Sequence, residues 1–131
     1  AVLHFFFFFL GISMMLYCTQ SLIYLLSGIL VFGLAPFHSL CIGFFASMIL
    51  AMASRVTLGH SGLPLELDRF TWLLFLGFQA AAVLRILADI IPAIAPMLYV
   101  IAGLVWLICF ILWAAKYAPI YWRPRVDGKA G

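Results

Sequence analysis

The sequence predicts an all-α fold, a polytopic transmembrane helical bundle of about four spans. Three observations carry that prediction. Only 8% of the 131 residues are charged, 68% are hydrophobic, and the mean hydropathy is +1.26. A soluble domain carries roughly a quarter charged residues, so this chain could not cover its surface in water. The apolar runs are as long as helical spans (about 20 residues), unlike the shorter alternating segments of an outer-membrane barrel. Polar residues gather in "GHSGLPLELDR", "IPAIAP" and the C-terminal tail, between and after those runs.

Boundaries are expected to be accurate to about two to four residues. The first span covers about residues 2–25 and begins "VLHFFFFFLGISMMLY". Ala1 opens directly onto that run, with neither a charged n-region nor a small-residue cleavage site, which speaks against a signal peptide. The chain is expected to be a fragment, a processed product or the ordered part of something longer. Gly28, Gly33 and Pro36 then punctuate an apolar connection. It reads as a short re-entrant or interfacial piece, or as a longer first span. The second span runs about 36–57, with Pro36 suited to a first helical turn. "GHSGLPLELDR" is the first polar loop, and Gly59 is the expected C-cap. The third span runs about 70–90, a tight turn follows at "IPAIAP", and the fourth runs about 96–116. Residues 1–116 thus form the bundle and 117–131 a basic interfacial tail.

Basic residues set the orientation. Arg55, Arg69, Lys116, Arg123, Arg125 and Lys129 share one side, against Arg85 alone on the other. By the positive-inside rule the C-terminus is cytoplasmic. Tyr117, Tyr121 and Trp122 fit an aromatic belt there, so the tail is expected on anionic lipid rather than nucleic acid. Cys18, Cys41 and Cys109 are odd in number and form no CxxC, which predicts small buried hydrophobes and no disulfide framework.

The topology sorts the histidines. His4 and His60 fall toward the cytoplasmic side, His60 just past the second span, and His38 toward the opposite face. A core about 30 Å thick keeps His38 and His60 from sharing a metal, whereas His4 and His60 could share one. On the second span Gly43, Ser47 and Ala51 make a small-xxx-small face for a neighbouring helix. His38, Cys41, Phe45, Met48, Met52 and Arg55 make a second stripe, either soft donors suited to Cu(I) or gap-filling side chains. On the third span Arg85 and Asp89 stand one turn apart and Gln79 lies off their stripe. They read as an ion pair at the helix end, or as a site where the guanidinium takes an anionic group such as a porphyrin propionate. The fourth span carries Trp106, Cys109 and Trp113, ending in a snorkelling Lys116, and is assigned no chemistry. Asp68 and Glu66 read as loop counter-charges to Arg69. No HExxH, catalytic triad or phosphate-cradling loop is present, so no catalytic residue is assigned.

"MASRVTLGHSGLPLEL" (52–67) resembles the signature of the NnrS family of bacterial inner-membrane proteins, "M-x-x-R-x-x-L-G-H-T/S-G-R-P-L". "YAPIYWRPRVDGKAG", "FHSLCIG", "VLH" and "LRILADIIP" resemble further family elements in the right order. Leu63 stands where the family pattern has arginine. The resemblance implies a haem- and copper-containing membrane protein of the nitric-oxide response or denitrification, matched over its C-terminal third. It implies haem b and/or copper, with His4, His38 and His60 as metal ligands and Arg55 and Arg85 as cofactor-binding residues. Expected partners are lipid and other transmembrane helices, either missing N-terminal spans or subunits of a larger complex. The competing reading is a non-catalytic scaffold or accessory subunit in a respiratory or metalloenzyme complex. A transporter fits less well, because no repeat or broken helix pair is evident.

Overall fold

The computed structural model of the chain describes residues 2–124 and 126. Four long helices, α1 (Val2–Ser27), α2 (Ala35–Ser61), α3 (Arg69–Ile90) and α4 (Ala95–Tyr117), follow one another up and down. Each supplies a segment long and apolar enough to cross a membrane. Short 3₁₀ turns at Pro92–Ile94 and Ala118–Trp122 precede and follow α4. Arg125 and Lys129, two of the basic residues that set the expected orientation, lie outside the described residues.

Helix ends follow local chemistry. α1 stops where Gly28 turns left-handed (φ 71°) and its N–H bonds the Tyr24 carbonyl at 2.8 Å. The connection that follows is a loop, so the expected longer first span is not formed. Gln20 Oε1 pins it by accepting from Phe32 N at 3.1 Å. Pro36 sits in the first turn of α2, where its missing N–H costs nothing. α2 ends at Gly62 (φ 75°), not at Gly59 as expected. The Leu63 N–H bonds the Leu58 carbonyl and the Gly62 N–H the Gly59 carbonyl, a Schellman cap that fixes the last turn. His60 therefore stands on the helix, in its final turn, rather than past it.

Within α2, Ser39–Ala46 winds as a π-helix starting directly after His38. Such stretches are rare and concentrate at functional sites. The wider winding breaks the second stripe expected on this helix. Met48 packs toward the core, while Phe45 and Met52 are exposed. The small-residue face survives. Gly43 and Ser47 are buried, and a Cβ at Gly43 would overlap the Phe9 ring of α1. Polar stitches join these helices, with Ser13 Oγ donating to Pro36 O at 2.8 Å and Ser39 Oγ to Phe9 O at 3.1 Å.

Phe6, Leu50, Phe75 and Phe78 form the core, packed against Trp72, Trp106 and Trp113. Along α4 the rings of Trp106, Phe110, Trp113 and Tyr117 stack at 5.2, 6.0 and 5.5 Å. At the lower end of that ladder, Trp113 Nε1 donates to Ser54 Oγ at 2.7 Å. Lys116 does not snorkel freely. Its ammonium donates to Asp68 Oδ1 at 2.5 Å and to Thr71 Oγ1 at 2.7 Å. Asp68 is thus no partner of Arg69; it caps α3 through Thr71 N and is neutralised by Lys116.

Candidate functional site

The two ends of α2 place the sequence-predicted residues in different settings. At the end that carries the 28–34 connection and the Pro92–Ile94 turn, three helices converge on His38. Its Nδ1 lies 2.5 Å from Asp89 Oδ2 on α3, and its Nε2 accepts from Arg85 Nε, also on α3, at 3.3 Å. Tyr99 on α4 donates its hydroxyl to Asp89 Oδ1 at 2.8 Å, and the Arg85 guanidinium lies over the Tyr99 ring, 4.0 Å from its centroid. The His38 and Asp89 side chains are only 12% and 5% exposed.

These contacts match one tautomer of the ring. An ionised carboxylate only accepts, so Nδ1 carries the hydrogen; a guanidinium only donates, so Nε2 carries the lone pair. With the Asp89 carboxylate ionised, the geometry matches a His38 ring that donates from Nδ1 and accepts at Nε2. The expected Arg85–Asp89 ion pair is not formed; among the described residues neither makes one with the other. Arg preceding Asp at i,i+4 is the less favourable order, and the imidazole sits between the two groups. Arg85 also lines a cavity of ≈ 380 Å³ between α2, α3 and α4. Ala46, Ala81, Ala102 and Gly103 share its lining with the larger Ile42, Tyr99 and Trp106, and His38 does not line it.

Deeper in the bundle, Gln79, off the Arg85–Asp89 stripe, is buried. Its Nε2 donates to Ser47 Oγ at 2.7 Å and to Gly43 O, a carbonyl of the π-helical turn, at 3.4 Å. Its Oε1 is buried with no hydrogen-bond partner. Tyr99 and Gln79 are the site residues that sequence reasoning missed. The available signal was a polar side chain inside an apolar span, at the same end as Arg85 for Tyr99 and facing the small stripe of α2 for Gln79.

At the opposite end, His60 and Arg55 are both exposed and line an open cavity of ≈ 460 Å³ with Met52, Gly59 and Leu65. His4 lies at this same end of the bundle, since its neighbour Phe5 packs edge-on against Trp72 near the start of α3. Its side chain is exposed. The structure therefore brings His38 and Arg85 together, and His60 and Arg55 together, but not the two pairs. They are separated by about 30 Å of helix. Among the described residues no three His, Cys, Asp or Glu side chains stand close enough to hold a metal ion, so a multi-ligand copper centre has no donor set of these types there.

A family model for the NnrS protein matches residues 1–125. The chain belongs to the NnrS family. No curated protein and no solved structure matches it. In this NnrS member the "LGHSG" signature forms the last turn and cap of α2, whereas the "FH" and "LRILAD" elements meet across the bundle at the His38 cluster.

Proposed function

We propose that this NnrS protein binds haem b beside His38 and serves the nitric-oxide response in the bacterial inner membrane, with its C-terminus cytoplasmic. The observation that carries the reading is the pair of contacts on the His38 ring, Asp89 at Nδ1 and Arg85 at Nε2. A ligating histidine needs a lone pair on one nitrogen and is characteristically held by a carboxylate on the other. Asp89 supplies the second, and Arg85 covers the first. The neighbouring cavity lies at the small end of the range for ligand pockets, roughly 300–1,000 Å³, and is lined by aromatic and small apolar side chains together with Arg85.

The residues fit haem better than copper. Among the described residues His38 would be the iron ligand nearest this cavity, joined to it through Arg85, whose fork-shaped guanidinium would pair with a propionate. When bound, haem supplies an iron with an open face able to take nitric oxide. Asp89 holds the His38 ring in orientation, Tyr99 holds Asp89, and the apolar walls exclude water. Arg85 must leave His38 Nε2 for the lone pair to be used, and a propionate offers the guanidinium an alternative partner.

Reduced-minus-oxidised absorbance of the purified protein, with and without nitric oxide and alongside haem and copper analysis, tests this. The expectation is a haem b spectrum shifted by nitric oxide. Well-folded protein that takes up no haem overturns it. A second reading, an accessory subunit packing within a larger complex, is favoured by α1. Phe5, Phe7, Phe8, Met15, Leu25 and Leu26 leave much of its surface exposed, suiting contact with further transmembrane helices or lipid.

A further inference from the structure

The end of α2 that carries the LGHSG signature holds a further cavity, independent of the haem reading. The chain folds back after α4, and the Ala118–Trp122 turn lies against the last turns of α2. Tyr121 OH meets Thr57 Oγ1 at 2.6 Å, and Val126 N donates to Ser61 O at 3.1 Å. Between these segments lies a cavity of ≈ 290 Å³ lined by Thr57, His60, Ser61, Tyr121 and Arg123. It adjoins the cavity that His60 shares with Arg55.

Most donors here are already committed. Thr57 Oγ1 donates to Ala53 O at 2.8 Å, which leaves Tyr121 as the donor to Thr57, and Ser61 Oγ donates to Leu58 O at 2.9 Å. Among the described residues, the His60 ring and the Arg123 guanidinium have no hydrogen-bond or ion-pair partner, and Arg55 has no ion pair. Of the described carboxylates on this side, Asp68 is taken by Lys116 and Glu66 does not line either cavity. The carbonyls of Leu58, Gly59 and Ser61, which would repel an anion at a helix C-terminus, are covered by Leu63 N, Gly62 N and Val126 N. Two flanking side chains, Tyr121 and Trp122, are 65% and 80% exposed, as aromatic residues at headgroup depth are.

We propose that this cavity binds a phosphate group, with Arg123 and His60 as its donors and Arg55 as a supporting charge. A lipid headgroup and free phosphate offer the same chemistry, and the test separates them. The purified full-length protein is titrated with phosphatidylglycerol in phosphatidylcholine nanodiscs and, in detergent, with inorganic phosphate. Thermal stability and bound lipid by native mass spectrometry are read in both. Arg123→Gln and His60→Gln, at exposed positions, are each expected to weaken binding about tenfold. Arg69→Gln, which removes a charge from the same end but not from the cavity, is expected to change it less than about twofold. Stabilisation by phosphatidylglycerol alone assigns a lipid site; stabilisation by inorganic phosphate as well assigns a site for the free ion. No phosphate- or lipid-dependent change, or equal weakening in Arg69→Gln, overturns the proposal.

Discussion

His38 and His60 sit on one helix, yet the bundle treats them oppositely. His38 is nearly buried and has both ring nitrogens engaged by side chains from α3. His60 is exposed at the helix end, beside open cavities and two arginines. Sequence gives each the same residue type, His38 inside an apolar run and His60 where the first polar loop begins. The difference comes from what the neighbouring helices carry at matching depth. Inside a membrane an unpartnered polar atom is costly, so a buried imidazole is found with its partners. At the interface water serves, and the same side chain is left free for a ligand.

Breaking the buried end should have the largest structural effect. Asp89→Asn turns one of the two oxygens that accept from His38 and Tyr99 into an amide that only donates, and removes the carboxylate charge between them. It is expected to destabilise the protein by about 2 kcal/mol, seen as a fall in the melting temperature. Gly43→Ala forces a methyl group into the Phe9 ring beside the π-helical turn, with an expected cost of about 2 kcal/mol in the same measurement. Ser54→Ala removes the acceptor for Trp113 Nε1 and should cost about 1 kcal/mol, also visible as a change in tryptophan emission.

The exposed end should respond more weakly. His60→Gln is expected to change stability by less than about 0.5 kcal/mol. The loop side also carries the acid response. Hydrogen bonds from Lys116 and Thr71 hold the Asp68 carboxyl at about 2, below the ordinary 3.8. A depressed carboxyl contributes stability that is complete above the unfolded value and is lost as the pH falls from 3.8 through about 2. Its side chain is 54% exposed, so solvent screening keeps the contribution below about 1 kcal/mol. Thermal melts between pH 5 and pH 2 should show that loss in the wild type and a flatter profile in Asp68→Asn.

Spans, the Pro36 start and the small-residue face of α2 were legible because each depends on local hydropathy, a single backbone preference or one helical period. The cap was misplaced by three residues, since Gly59 and Gly62 are equally plausible until the Leu63 N–H finds the Leu58 carbonyl. The π-helical turn leaves no mark in hydropathy, and it is what breaks the Cys41–Met52 stripe. Arg85 and Asp89 were recognised as a costly pair, but their true partner is on another helix. Interhelical register decides that, and one-dimensional spacing does not contain it. Lys116 was misread for the same reason, because Asp68 reaches it only when α3 and α4 lie side by side.

The most direct test of the contrast between the two ends is haem content per protein for wild type, His38→Ala and His60→Ala, purified from haem-replete cells and checked for folding by size-exclusion chromatography. Loss of haem in His38→Ala with near wild-type content in His60→Ala is the predicted result. Haem retained in His38→Ala and lost in His60→Ala would contradict it.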